Sequence, residues 1–455
     1  MTRAAPQRLD HPDGELRWVK DDRWATVAAP TAKAMLTAYD HLLVIAAHPD
    51  DECLGAGAFI ADVADLGLEV TVLVLTDGEA SHPLSPTVSP DEMARRRRVE
   101  ADHAAVILAP AARVVHAQLA DGGLGERHDP IVASVRELIG PRTLVIAPWV
   151  ADGHPDHDAA GAGAAAAVAA ARADGEGSPG MAHYLVWFWH WSGPDQLPWS
   201  DAVVFDATKD GLRRRDLALA RHQSQVSPLS PAVGDEALLT EGVLAPSRRG
   251  FTTLLLPGHE PFADAAPVSG RDSTFDEMFA DGDDPWSSHS WYERRKRALT
   301  LAALRRERYG RVLDLGCSTG ALTRGLAARA DEVVAVDVSR RALEVAQRAS
   351  DTGITWVHGE APSVLEEIDG PLDLIVISEV GYFLSPIELW LTMGRLLARL
   401  RQGGELLLVD WRHPTKDIPL DGPAVHDQVR AICGAWSVLT HVEEDVLLDG
   451  YEVPQ

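Results

Sequence analysis

Two α/β domains in tandem, each a mostly parallel sheet flanked by helices, are the fold class that this sequence predicts. Three observations carry the prediction. At 455 residues the chain exceeds one ordinary domain. Short apolar runs bounded by turn residues alternate with longer helical stretches, the rhythm of βαβ units. That rhythm occurs twice, with a turn-rich stretch ending at Asp281-Gly282-Asp283 between the two series. The expected organisation is an N-terminal extension at 1–39, a first domain at 40–262, a linker at 263–283 and a second domain at 284–455.

The extension is mixed in character and helical near its end. Residues 41–47 (HLLVIAA) are continuously apolar and read as a strand buried on both faces. Strand 69–76, helix 91–108 opened by Ser89-Pro90, strand 113–116, helix 130–139 and strand 143–147 follow. The Ala/Gly run 159–171 is closed by Arg172 and reads as a packed helix, not a membrane span. Residues 184–191 alternate, so they predict a strand with Trp187, Trp189 and Trp191 on one face, mainly as core; if one of them reaches solvent near the site, it is Trp191, closest to the following loop. The stretch 245–265 is less regular. A second series starts at Arg311, with strands near 333–336, 354–357, 372–377 and 405–409. Both series read as Rossmann-like sheets.

Lys and Arg number 42 and Asp and Glu 68, a formal charge of −26. Such a surface repels nucleic acid and anionic lipid, and the acidity is read as serving solubility. Cys53, Cys317 and Cys433 are odd in number and far apart, which fits a reducing compartment. With no apolar leader at Met1-Thr2-Arg3-Ala4-Ala5-Pro6 and no membrane span, a soluble, cytoplasmic protein is expected.

His48-Pro49-Asp50-Asp51-Glu52 ends the first apolar run, and His154-Pro155-Asp156-His157 follows the strand at 143–147. Strand ends at the carboxyl edge of an open α/β sheet are where sites form. His48, Asp51 and His157 make a His₂-carboxylate set suited to Zn²⁺, with Fe²⁺ or Co²⁺ as other ions such ligands accept. Asp50 is left to take a proton from bound water, His154 to stabilise an oxyanion or protonate a leaving amine, and Asp156 to orient a His. Glu52 reads as a residue of the helix N-terminus. A similar string at His11-Pro12-Asp13-Gly14-Glu15 lacks the second Asp, follows no strand and is set aside.

These motifs closely resemble the PIG-L/LmbE family of zinc-dependent N-acetylglucosaminyl deacetylases. So do Thr76-Asp77-Gly78-Glu79, Arg97-Arg98-Val99-Glu100, Leu119-Ala120-Asp121-Gly122-Gly123 and Arg221-His222-Gln223-Ser224-Gln225, over about residues 40–260. The resemblance implies His48, Asp51 and His157 on zinc, Asp50 as base and His154 as electrophilic acid. It also implies Arg97 and Asp121 near the hydroxyls of the substrate, an N-acetylated amino sugar or glycoside.

In the second half, Val312-Leu313-Asp314-Leu315-Gly316-Cys317-Ser318-Thr319-Gly320 is a strand, a small-residue loop and a helix start. Asp337 ends the next strand with an acid suited to ribose hydroxyls, and Gly359-Glu360 ends the third. A complete G-x-G-x-x-G and a phosphate-gripping Lys are missing, which argues against a nicotinamide cofactor. The arrangement resembles class I S-adenosylmethionine methyltransferases. Asp284-Pro285-Trp286, Ser290-Trp291-Tyr292-Glu293, Gly316-Cys317-Ser318 and 378–384 (SEVGYFL) are similar to the NodS-like N-methyltransferases, over about residues 272–455. Ser318 stands where most class I enzymes carry Gly, as in NodS-like sequences. The resemblance implies Asp314, Gly316, Ser318, Gly320, Asp337 and Glu360 around S-adenosylmethionine, with Ser378 and Glu379 facing the transferred methyl. Glu379, or His413, is a candidate to remove the ammonium proton.

The expected function is removal of an N-acyl group from an amino sugar followed by N-methylation of the freed amine. Alternatives are a deacetylase with an independent O-methyltransferase, one with a domain that senses S-adenosylmethionine without turning it over, and a first domain acting on a non-sugar amide.

Overall fold

The structure, a computed structural model, describes residues 14–258, 271–280, 282–349, 353–414, 416 and 418–454. They fall into two compact units, one within Met1–Trp18 and Thr26–Ala265, the other within Val19–Ala25 and Ala266–Gln455. Each unit has a seven-stranded sheet.

In the first unit the strands are β1 (His41–Ala46), β2 (Glu69–Thr76), β3 (Arg113–Leu119), β4 (Thr143–Pro148), β5 (Gly180–Tyr184), β6 (Ala202–Asp206) and β7 (Phe251–Leu255). Their order is β3-β2-β1-β4-β5-β7-β6. The first five are parallel, and β7 runs antiparallel to both β5 and β6. Leu42, Val44 and Ala46 of β1 enter the core on one face, while Leu43 and Ile45 enter the core on the other. Burial on both faces is why the sequence of β1 shows no alternation. β1 pairs with β4 from His41 opposite Thr143 onward, at the point where strand order reverses. The loops that leave these two strands therefore open side by side.

The second unit has β8 (Tyr309–Leu315), β9 (Ala330–Asp337), β10 (Ile354–His358), β11 (Leu372–Ser378), β12 (Leu400–Trp411), β13 (Ser437–Val442) and β14 (Val446–Glu452). The order β10-β9-β8-β11-β12-β14-β13 repeats that of the first sheet. Its reversal point lies between β8 and β11.

Several elements differ from expectation. The tryptophan-rich stretch is not a strand: β5 ends at Tyr184 and Phe188–Trp191 is a single helical turn. Helical spacing brings Trp187 and Trp191 into a stack, ring centroids 5.0 Å apart, while Trp189 turns away against Trp18. The antiparallel β6, β7, β13 and β14 carry no clear pattern of their own in the sequence. The span read as linker contains the helix Arg271–Met278; 259–270 and Asp281, like the His11-Pro12-Asp13 string, lie outside the described residues. All three cysteines are buried and unpaired. Among the described residues, no helix is long and apolar enough to cross a membrane.

The helices that follow β1 and β4 lie close on the sheet because glycines face it. A Cβ on Gly161, in the helix Pro155–Ala173, would stand 2.3 Å from the Pro148 carbonyl oxygen of β4. Backbone cannot swing aside as a side chain can. Gly161→Ala is expected to destabilise the chain by about 1–3 kcal/mol in thermal unfolding. Gly193→Ala, whose Cβ meets nothing within 4 Å, is expected to leave stability nearly unchanged. Equal melting temperatures for the two variants would contradict this packing.

Candidate active sites

The His48–Glu52 loop leaves β1 and starts the helix Asp51–Asp65; the His154–His157 motif caps and starts the helix Pro155–Ala173. Asp51 lies between two imidazoles. Its Oδ1 is 3.2 Å from His157 Nε2 and its Oδ2 is 3.6 Å from His48 Nδ1. Each ring is held from behind by other carboxylates: His48 Nε2 is 3.2 Å from Asp121 and 3.3 Å from Asp156, and His157 Nδ1 is 2.8 Å from Asp152. His157 Nε2 is buried without a hydrogen-bond partner. Burial works against charge on His157, but Asp51 and Asp152 outweigh it and push the imidazole up to about 9. Burial is likewise outweighed at His48 by Asp121, Asp156 and Asp51, which raise it well above the ordinary histidine range. A pocket that draws protons onto two imidazoles has negative potential to spare, and an orphaned ring nitrogen facing a carboxylate is a ligand pair awaiting a cation. His48, Asp51 and His157 therefore fit a divalent cation.

Asp50 is 5 % exposed and adopts φ 120°, a conformation that strains any residue with a side chain. Burial pushes its carboxyl up to about 6, against the pull of Arg97. The resemblance implies Arg97 near substrate hydroxyls. It is instead buried, with its guanidinium on Asp50 Oδ2 at 3.0 Å, the Gly78 carbonyl and the Pro49 carbonyl. Three residues along the same helix, Glu100 accepts from both the backbone and the hydroxyl of Ser224. The R-x-x-E pair thus ties the Asp50 loop to the Arg221–Gln225 segment. Asp121, which the resemblance implies near substrate hydroxyls, faces His48 Nε2 at 3.2 Å. Asp156 orients His48 and also accepts from the Gly122 and Leu124 amides.

His154 Nδ1 accepts from the Asp156 amide at 3.3 Å, which leaves the proton on Nε2. Burial, with His157 and His48 nearby, pushes His154 down to about 4, so its ring is a neutral donor. Trp191 lies nearly parallel to it, centroids 6.3 Å apart, and is the tryptophan of its stretch that meets the site. Glu52 is fully buried and accepts from Cys53 Sγ at 3.3 Å, with His222 at 3.6 Å. Sequence reasoning missed Asp152. Its carboxylate also accepts the amides of Val186, Trp187 and Phe188, fixing the tryptophan-rich turn and His157 together. Its position at the end of the segment after β4, before the motif, was the available signal.

In the second unit, Gly316 (φ 78°), Ser318 (φ 47°) and Gly320 (φ 73°) form the loop after β8. A Cβ on Gly316 would collide with Val380, and one on Gly320 with Trp356. Ser318, strained in the left-handed region, is held through its amide to Asp337 Oδ2 at 2.7 Å. Asp337 also accepts from the Ser339 amide at 2.8 Å, so its carboxylate shapes the loop as well as lining the cavity. Asp314 is buried, accepts from Thr323 Oγ1 at 2.6 Å and is pushed up to about 6 by burial; it braces strand to helix. The loop, Asp337, Glu360 and Ser378 border a cavity of about 350 Å³, and this bare-backbone cradle fits an adenosyl group. Arg271, from the helix in the expected linker, reaches Glu360 at 2.9 Å.

Glu379 departs from expectation. Its Oε1 takes Lys296 Nζ at 2.7 Å, and its Oε2 takes the Tyr382 hydroxyl at 2.6 Å and the Trp411 amide at 3.0 Å. Both oxygens of this carboxylate are thus engaged by neighbouring donors. His413 is paired with Asp445 at 2.8 Å and is about half exposed.

Asp152→Ala is expected to weaken divalent-cation binding by roughly 10- to 100-fold, because His157 loses the partner that fixes its ring. Titration calorimetry reads this directly; unchanged affinity would remove Asp152 from the site.

Residues 43–168 match the family described as GlcNAc-PI de-N-acetylase (PIG-L), and residues 312–404 match a methyltransferase domain family. The chain is 36% identical over 125 residues to the diacetylchitobiose deacetylase of Thermococcus kodakarensis, covering 26% of this chain and 46% of that one. It is 32% identical over 130 residues to nodulation protein S of Rhizobium tropici, covering 28% of this chain and 54% of that one. The chain thus spans about half the length of these curated relatives. The crystal structure of the N-methyltransferase NodS from Bradyrhizobium japonicum is similar at 21% identity and a TM-score of 0.35, over 40% of this chain and 98% of that one. One chain here joins a PIG-L deacetylase domain to a methyltransferase domain.

Proposed function

We propose that this chain is a bifunctional enzyme that removes the acetyl group of an acetamido sugar or glycoside and then N-methylates the freed amine. One observation carries the reading: a PIG-L match and a methyltransferase match share a single chain. A deacetylase releases a primary amine, and a NodS-like N-methyltransferase consumes one. Linkage raises the local concentration of that intermediate. The Thermococcus relative is a deacetylase of diacetylchitobiose, which favours a sugar over other amides. We assign the hydrolytic domain to 40–262 and the methyltransferase to 284–455, with the helix Arg271–Met278 added to the latter.

His48, Asp51 and His157 would hold Zn²⁺, which supplies a water acidified enough to lose a proton near neutral pH. Asp50, fixed by Arg97, takes that proton as the water oxygen joins the amide carbon. The neutral His154 Nε2–H faces the oxygen on which negative charge develops. Asp50 then passes its proton to the nitrogen as the C–N bond breaks, and acetate and amine leave. The pocket formed by the Gly316–Gly320 loop would bind S-adenosylmethionine, the source of the methyl group.

Mass spectrometry of acetamido sugars incubated with the metal-loaded chain tests this. A loss of roughly 42 Da is expected, followed by a gain of roughly 14 Da only when S-adenosylmethionine is present. Asp50→Asn is expected to slow deacetylation by about 10²- to 10⁴-fold while sparing methylation of glucosamine supplied directly. Methylation of intact acetamido sugar would favour an O-methyltransferase, and binding without S-adenosylhomocysteine formation would favour a sensor. Either result would overturn the coupled reading.

A further inference from the structure

The methyltransferase cavity has an acceptor end as well as a cofactor end. Tyr292, Glu293 and Lys296 of the helix Trp291–Ala303 line it together with Glu379 and Trp411. Most polar groups at this end are already committed. Lys296 Nζ bonds Glu293 at 2.8 Å and Glu379 at 2.7 Å, and Glu379 is completed by Tyr382 and Trp411. Tyr292 is the exception. Its hydroxyl is buried and, among the described residues lining the cavity, is the one buried side-chain polar atom without a hydrogen-bond partner. The ring is nonetheless firmly held, edge-to-face against Trp411 at 5.1 Å with Lys296 Nζ 5.1 Å from its centre. A buried hydroxyl left unpaired destabilises the fold unless a ligand completes it.

Resting on the amino-sugar reading above, we propose that the Tyr292 hydroxyl receives the methyl acceptor, accepting a hydrogen bond from the N–H of a neutral primary amine. Burial, then the nearby Glu379 and Glu293 charges, pushes the phenol far above its ordinary range, so it stays protonated throughout the working pH range. With Glu379 engaged by Lys296, Glu379 is a positioning residue, and the amine arrives already deprotonated. Its second N–H and lone pair remain free, and the lone pair faces the sulfonium. As the nitrogen lone pair forms the N–CH₃ bond, the S–CH₃ bond breaks and its electron pair stays on sulfur. The products are a methylammonium sugar and the thioether S-adenosylhomocysteine; the extra proton leaves with the product and passes to water. An acetamide nitrogen fits such a site poorly, since its lone pair is delocalised into the carbonyl. This places deacylation before methylation as a matter of acceptor chemistry.

The test is calorimetry on the full chain, titrating glucosamine with and without saturating S-adenosylhomocysteine, paired with steady-state methylation of glucosamine. The glucosamine binding that appears only with S-adenosylhomocysteine reports the second site. Tyr292→Phe is expected to weaken that increment about tenfold and raise KM similarly, with S-adenosylhomocysteine affinity unchanged. Tyr292→His, which keeps an acceptor, is expected to recover part of the loss. Unaltered glucosamine binding in Tyr292→Phe overturns the proposal, as does an equal loss of affinity for both ligands, which would make Tyr292 a packing residue. A wild-type chain that binds S-adenosylhomocysteine but neither binds nor methylates glucosamine overturns instead the amino-sugar reading beneath it.

Discussion

The first unit is organised around one electrostatic constraint: Asp51 is buried between two imidazoles, each braced from behind by further carboxylates. Burying so much charge is costly unless every group is paired. The sheet solves this by topology. β1 and β4 are neighbours at the reversal of strand order, so two motifs far apart in sequence meet without any long loop. Gly161 lets the second helix approach β4, the R-x-x-E helix ties the Asp50 loop to the Ser224 segment, and Asp152 ties His157 to the tryptophan-rich turn.

The same strand order serves a different chemistry in the second unit, which illustrates that site residues and not topology decide function. There the loop after the first strand is kept open by glycines and a strained Ser318, and it borders a large cavity. The two units share the logic of a site at the reversal point. They differ in what the strand ends present.

Much of this was legible in the sequence. β1, β2 and β4 are rich in apolar residues because both faces are covered, so the sequence places them to within a residue or two. The motif residues His48, Asp51, Asp121, Asp156 and His157 do converge, because each follows a strand end on the same edge of the sheet. What failed depended on packing. The tryptophan stretch has period-two spacing by coincidence, and Asp152 draws its backbone into a helical turn. Arg97 and Glu379 look chemically free in sequence, yet tertiary partners engage them: Asp50 and two carbonyls for one, Lys296, Tyr382 and Trp411 for the other. No local pattern announces such partners. The strands β6, β7, β13 and β14, at one end of each sheet, are antiparallel additions whose placement is set by the sheet they join.

The most direct measurement of the central claim is anomalous diffraction at the zinc edge from crystals soaked in Zn²⁺. The account predicts one strong peak in the first unit, about 2.0–2.2 Å from His48 Nδ1, an Asp51 oxygen and His157 Nε2. No peak there, or a peak at the buried Glu52, Cys53 and His222 group instead, would contradict it.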